Sequence, residues 1–571
     1  MSGVAPGTVP ALLVDAARRA PDRGIAILDN RGRLSERRTY PEVLASIDRA
    51  ALALRTLGVE AGDSVLVSLP TSWELLEAWL GCARLGAIPA AMPAPGPMAS
   101  ASDFVPSVVG RRATIGASHV IVGSALRDEL EAADSESREA LVTTDEIAGV
   151  AAGVAGKDID GPDVDGEDIA FFQFTSGSTG HPRAVRIPHR AAVHNTLAID
   201  DAVVASTGKK GSEVADTVVS WLPLNHDMGL VGCLLYAISQ GLDLALLPPP
   251  SFLARPRGWL EAIAAHGQVL SPAPNFGYQL VAERVKPSDI AGLDLSGWRS
   301  AMIGADMVRP ATAAAFRALA EPLGFDPGVL IPCYGLAEGT LAVTFDRAGR
   351  GPRTLPAPEG TDAGFDLAEV VCVGSPVLDT EIRIVRSTDG KPLAEGAVGR
   401  VLARGPGIFA GYHGDPDATA DALRDGWLDT GDLGFIRQGE LYLTGRDKDI
   451  LILNGRNWMP HELEWLAEDE VGGGGALRSA AFSVARGPAG EEPVLVVETA
   501  THDASELESS GRAIRQRVGR TLGLPLADVV FVRRGKIPRT TSGKVQRKEV
   551  RRRYLEGSLD RIGPGVSAGD A

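Results

Sequence analysis

The most constraining feature of this chain is an apolar run that breaks abruptly into a loop of small and hydroxylated residues. Ala170-Phe171-Phe172-Gln173-Phe174 reads as a buried strand, and Thr175-Ser176-Gly177-Ser178-Thr179-Gly180 follows directly. Glycines let the backbone approach a ligand closely, and Ser and Thr add hydroxyl donors. Such a loop can wrap an anionic phosphate in N–H and O–H groups. It is not a P-loop, because no Gly-Lys-Ser/Thr ends it. Taken alone, the string fits a plain Gly/Ser turn equally well.

The 571 residues leave room for three or four domain-sized units at ~150 residues each. The formal charge is −16, which disfavours general nucleic-acid binding, since duplex binding needs Lys and Arg to replace counterions. Ten basic residues nevertheless gather between Arg533 and Arg553. They read either as a solvated helix face or as a local anion site for phosphates or an acidic partner. The four cysteines (82, 233, 333, 372) form no CxxC pair. Neither a zinc site nor a disulfide framework is expected, and free thiols suit a reducing cytoplasm. The N-terminus has no signal-like core, and the apolar stretch 229–247 is interrupted by Ser239, Gln240 and Asp243. A soluble, cytoplasmic protein without a membrane span is expected.

Helical and strand patterns alternate from residue 38 onward: a helix through Leu44–Leu57 stopped by Gly58, a strand at 64–69, a helix from Trp73 to Leu85, and a strand at 117–122. That alternation predicts an α/β layer architecture. Further strands are expected at 218–223, 242–247 and 268–271, and a β-rich subdomain at 370–404. Loops are expected at 89–102 and 132–166. A boundary near Asp447-Lys448 separates a large, multi-subdomain N-terminal domain (1–447) from a small α/β domain (448–571). The small domain should carry helices at 461–469 and 505–521, strands at 480–485 and 493–498, and a disordered tail from Gly563.

The hydroxyl-rich loop gains weight from the strings that follow it in order. They are Tyr334-Gly335-Leu336-Ala337-Glu338, Thr430-Gly431-Asp432, Gly445-Arg446-Asp447-Lys448-Asp449 and Pro538-Arg539-Thr540-Thr541-Ser542-Gly543-Lys544. This series resembles the adenylate-forming, acyl-activating superfamily. The string Ser220-Trp221-Leu222-Pro223-Leu224-Asn225-His226-Asp227-Met228-Gly229-Leu230 looks most like fatty acyl-AMP ligases. So do Ser271–Phe276 and Leu293–Arg299. The resemblance spans residues 38–556.

The resemblance implies a mobile C-terminal domain, ATP and Mg²⁺ as cofactors, and a role for each string. Loop 175–180 would cradle the β- and γ-phosphates. Gly304-Ala305-Asp306 and Tyr334-Gly335-Leu336 would line adenine. Glu338 would hold Mg²⁺, a hard ion suited to oxygen ligands. Asp432 would receive the ribose hydroxyls and Arg446 would approach ribose or phosphate. Lys448 would be the hinge and Lys544 the lysine that stabilises charge on the α-phosphate. His226 would orient the substrate carboxylate or a phosphate, with a purely structural histidine as the other reading. Met228, Phe276 and Ile303 are placed in the acid pocket. The product would be an acyl-AMP from a hydrophobic, fatty or natural-product, carboxylic acid. The acyl group would then pass to the phosphopantetheine thiol of an acyl carrier protein.

Three departures from the family pattern stand out. Arg183-Ala184 replaces Lys-Gly after the loop, Asp306 replaces Glu, and the interval 339–373 is short where fatty acyl-AMP ligases carry an insertion. A shorter interval would free the small domain to rotate and leaves CoA open as acceptor. An acyl-CoA ligase, a non-catalytic adenylate-binding relative and an amino-acid-activating domain are the competing readings.

Overall fold

The structure, a computed structural model, describes residues 7–95, 101–133, 140–154, 159–175, 182–356, 369–453, 456–471, 478–485, 491–539, 544–562 and 566–567. Two large sheets dominate the first 380 residues. The nine-stranded sheet has Trp298–Gly304, Val269–Pro274, Thr217–Ser220 and Asp243–Leu246 as parallel neighbours at its centre. The six-stranded sheet runs Leu141–Thr143, His119–Val122, Ser64–Ser68, Ile88–Ala91, Ile169–Thr175, Arg183–Pro188. Its strands pair in parallel except the last, which turns back antiparallel on Ile169–Thr175. Near-continuous apolar strands are what a sheet covered on both faces requires. A smaller antiparallel sheet holds Glu381–Val385, Gly399–Arg404, Trp427–Arg437 and Glu440–Arg446. The mixed α/β architecture read from the sequence is observed.

Local signals account for many boundaries. Helix Trp73–Leu85 starts where Ser72 accepts from the Leu75 N–H and ends where Gly86 adopts φ +80°. Thr39 and Glu42 form a capping box on helix Tyr40–Thr56. One expected loop is not a loop: within 132–166, Leu141–Thr143 adds an edge strand beside His119–Val122 and Thr144–Gly153 is a helix. Three apolar residues are too short a pattern to stand out, but a neighbouring strand edge is enough to recruit them. The 89–102 loop likewise yields Ile88–Ala91 to the sheet and residues from Ala101 to a helix. Of the tail taken as disordered, Val566–Ser567 pairs with Asp528–Val529; the rest from Gly563 lies outside the described residues.

An aromatic cluster stiffens the back of the nine-stranded sheet. Trp221 stacks on Phe252 at 3.8 Å, and Trp259 meets Tyr278 and Trp298 edge-on at 5.3 and 5.2 Å. Such pairs contribute ~0.5–1.5 kcal/mol each beyond their burial. Trp221 is thereby a structural residue that anchors the segment leading to His226. Residues 451–562 build cores of their own around Trp458, Leu463, Leu495, Ile514 and Phe531, and around Phe482, Val496 and Val550. No helix among the described residues is long and apolar enough to cross a membrane.

Candidate active site

A cleft of about 1410 Å³ runs between the ends of the two large sheets and the C-terminal region. It gathers Thr175, Arg183, His226, Met228, Phe276, Ala305, Asp306, Tyr334, Gly335, Leu336, Glu338, Asp432, Arg446, Lys448 and Lys544. Most of the residues singled out from separate strings thus meet in one place. Ser176, Gly177, Ser178, Thr179 and Gly180 lie outside the described residues, as do 540–543 and 357–368. Gly304, at the end of its strand, abuts the Cys333 carbonyl, leaving no space for a Cβ. Ile303 does not line the cleft. It is fully buried in strand Trp298–Gly304, and Met302 faces the cleft instead, because successive strand residues point to opposite faces.

Asp432 is buried and doubly engaged. Tyr334 donates its hydroxyl to Oδ2 at 2.6 Å, and Arg446 Nε donates to Oδ1 at 2.9 Å. Strand register explains the second contact, since Asp432 and Arg446 are direct cross-strand partners. Burial and the Asp432 charge push the Tyr334 phenol well above its ordinary range, so it stays a donor. The tyrosine expected beside adenine therefore fixes the carboxylate expected to receive the ribose hydroxyls.

Glu338 sits on a tight turn, Ala337–Gly339, followed by Thr340 at φ +66°. Asn195 ties that turn down, donating to Gly339 O and Ala342 O and accepting from Ala342 N at 3.0 Å. Tyr412 donates to Glu338 Oε1 at 2.7 Å. Segment 410–413 reaches this point because it hydrogen-bonds to the edge of strand Arg183–Pro188. Glu338 Oε2 makes no hydrogen bond among the described residues, so a hard oxygen donor remains for Mg²⁺. Arg183 lies over the Tyr412 ring at 5.1 Å and reaches Asp415 at 3.4 Å. Neither Tyr412 nor Asn195 belongs to a string that sequence reading could flag; only chain packing brings them here.

His226 Nδ1 lies 2.6 Å from Asp227 Oδ1. Burial raises the Asp227 carboxyl, but His226 and Lys544 outweigh it and hold the group below its ordinary value. Lys544 therefore enters the cleft on the His226 side. Its loop is pinned at the base: Arg539 bridges to Val545, and Gln546 N donates to Pro538 O at 2.9 Å. Buried Glu498 accepts from Arg539 at 2.7 Å. Next to it, Arg547 binds Glu464 at 2.6 Å and Asp449 at 3.1 Å, tying the Lys448 turn to helix Arg547–Leu555. Several arginines of the basic 533–553 stretch are thus internally paired: Arg552 and Arg553 also meet Glu549.

The C-terminal region docks on the large one through Arg309. Its guanidinium pairs with Asp469 and, at 3.5 Å, Glu468, and lies over Trp465. Burial pushes the Glu468 carboxyl up to about 7 against the pull of Arg478 and Arg309. A raised folded-state value means native Glu468 keeps a proton the unfolded chain has lost. Its contribution to stability is full below the ordinary glutamate range and is lost as pH rises through about 7. Glu468→Gln should flatten that slope. Melting temperature in the variant should fall less than in the wild type between about pH 5 and 8; parallel pH profiles would refute it.

A cluster outside the cleft brings ligand atoms of Asp346, Cys372 and Glu440 within 4.8 Å of one another. Arg353 donates to all three, at 2.7, 3.1 and 2.7 Å. A guanidinium holds the position a cation would take.

This fold and this cleft define a nucleotide-using enzyme with a carboxylate-lined cleft closed by a lysine from the C-terminal region. The chain matches the model of the AMP-binding enzyme family over residues 13–413 and belongs to that family. It is 34% identical over 563 residues to a protein of Caulobacter vibrioides provisionally named an acyl-CoA synthetase, covering 94% of each chain. It is 31% identical over 601 residues to the long-chain-fatty-acid–AMP ligase FadD26 of Mycobacterium tuberculosis, covering 98% of this chain and 99% of the relative. Among solved structures, it resembles one from work on fatty acyl-adenylate ligases from E. coli and L. pneumophila. The TM-score is 0.86 at 31% identity, covering 96% of this chain and 98% of the other.

Proposed function

We propose that this enzyme activates a hydrophobic carboxylic acid with ATP and delivers the acyl group to the phosphopantetheine thiol of a carrier protein. The observation that carries the reading is the convergence of Asp432, Glu338 and Lys544 on one cleft that has an apolar wall of Met228, Phe276, Leu341 and Phe345. In the first step a carboxylate oxygen attacks the α-phosphorus, the bond to the bridging oxygen breaks, and pyrophosphate leaves. Both reactants are anionic, so the site must neutralise charge and hold an in-line geometry.

Each residue has a part in that task. Asp432 accepts the ribose hydroxyls, and Arg446 with Tyr334 holds its oxygens in place. Lys544 brings positive charge to the α-phosphate. With Nδ1 committed to Asp227, His226 presents Nε2 to the incoming carboxylate. Glu338 would hold Mg²⁺, which when bound screens the phosphate charge. Lys448 would be the pivot between domain 1–447 and domain 448–571. ATP–pyrophosphate exchange with a panel of acids, and mass detection of the adenylate, tests the reading. No exchange with any acid would sink it.

The acceptor has a second reading. The Caulobacter relative's name and the short 339–373 interval favour CoA, whereas the His226-Asp227-Met228 strings favour a carrier. From a matched acyl-AMP, transfer to a phosphopantetheinylated carrier should exceed transfer to free CoA and weaken as salt rises. Efficient acyl-CoA formation would move the enzyme to the CoA ligases and leave adenylation intact.

A further inference from the structure

Arginines in the cleft commonly neutralise a carboxylate: Arg183 meets Asp415, Arg446 meets Asp432, Arg547 meets Glu464 and Arg539 meets Glu498. Arg111 does not. It lies near the C-terminal end of helix Ala101–Ile115 and lines the cleft beside Pro93, Phe174 and Thr175. Among the described residues it has no carboxylate within ion-pair distance. Its guanidinium carbon is 5.6 Å from the centre of the Phe174 ring. One Nη donates to the Ser107 carbonyl at 3.3 Å and to the Ser107 hydroxyl, while Nε is buried with no acceptor.

Burial alone acts on this group, pulling it below the ordinary arginine range with no anion to lift it back. An arginine remains charged even so. A partly desolvated cation with an unused donor is costly unless an anion completes it. Its position indicates which anion. Phe174 and Thr175 end the strand before the glycine- and hydroxyl-rich sequence 176–180, and Arg183, the cross-strand partner of Thr175, opens the next strand. Arg111 is thus held in the cleft against the strand that ends at Thr175, and a guanidinium fork matches phosphate oxygens.

We propose that Arg111 is a phosphate-binding residue, its guanidinium offered to the cleft beside Phe174 and Thr175. The phosphate chemistry has two possible sources in the reaction. One is the terminal phosphates of ATP, which leave as pyrophosphate, and the other is the phosphate of the phosphopantetheine acceptor. The proposal rests on the adenylation reading above.

The test uses the full-length enzyme and Arg111→Gln, with Arg111→Lys as the charge-retaining control. One arm measures KM for ATP and pyrophosphate in exchange, with AMP affinity alongside. The other measures acyl transfer from preformed acyl-AMP to phosphopantetheine and to dephosphorylated pantetheine. A tenfold or greater rise in KM for pyrophosphate in R111Q, with AMP affinity unchanged and partial rescue in R111K, assigns the residue to the ATP phosphates. Loss of the preference for phosphopantetheine over pantetheine, with exchange unchanged, assigns it to the acceptor. R111Q indistinguishable from wild type in both arms overturns the proposal. So does a variant that loses AMP and pantetheine equally, which marks a packing defect. Should the wild type catalyse no exchange, the adenylation reading fails separately. Calorimetric binding of pyrophosphate and of phosphopantetheine to wild type and R111Q still decides Arg111, and equal affinities for both ligands overturn it.

Discussion

Lys544→Ala is expected to slow single-turnover acyl-AMP formation by ~100-fold or more, the range seen when one preorganised electrostatic donor to a transition state is removed. ATP affinity should change little, because Asp432, the residue proposed to hold the ribose, is fixed by Tyr334 and Arg446 and not by Lys544. The physical ground is geometric. Lys544 is brought into the cleft from a loop whose base is clamped by Arg539 and Gln546, and its charge reaches Asp227. The variant loses that charge without disturbing the clamps, so folding should be preserved. Near-wild-type rapid-quench formation of the adenylate would remove Lys544 from the reaction.

The second large effect is expected at Asp432. Its carboxylate is buried and holds Tyr334 and Arg446. Asp432→Ala should raise KM for ATP by ~10-fold or more, and 2′-deoxy-ATP should lose less in the variant than in wild type. The substitution also strands the Tyr334 hydroxyl and leaves Arg446 without its counter-ion. Arg446 is 56% exposed and can turn to solvent, so the loss falls on the buried Tyr334 hydroxyl, ~1–3 kcal/mol for a stranded polar group, and the melting temperature should fall as well. Asp432→Asn keeps the volume and one acceptor, and separates the stability loss from the nucleotide loss. If both variants discriminate against 2′-deoxy-ATP as strongly as wild type does, the carboxylate does not read the ribose.

Among the described residues, the C-terminal region is held by polar contacts together with a small apolar cluster of Val398 and Leu433 with Ile450 and Met459. Arg309 pairs with Asp469 and stacks on Trp465, and Arg478 donates to Gln279. Polar contacts of this kind resemble those at interfaces between moving domains. They keep the lysine loop at the cleft mouth while leaving Lys448 on a short exposed turn, Asp447–Asp449.

Period and punctuation in the sequence were enough to determine the α/β class, helices such as Trp73–Leu85, and the strings whose residues meet in the cleft. These are local properties: a strand needs its own apolar run, a cap needs its own Ser or Gly, and a motif needs only its neighbours in the chain. Tertiary structure alone decided the rest. It moved Ile303 from the cleft to the core, because strand alternation cannot be phased without knowing which face is covered. It drew Leu141–Thr143 into the sheet, because an unpaired edge supplies the hydrogen bonds that a three-residue pattern cannot announce. It brought Tyr412 to Glu338 and Asn195 to the turn behind it, over separations of 74 and more than a hundred residues. It also paired arginines of the basic tail such as Arg539, Arg547, Arg552 and Arg553 with carboxylates while leaving Arg111 without one among the described residues. Charge compensation depends on what lies within a few ångströms in space, and that distance is set by packing, not by order along the chain.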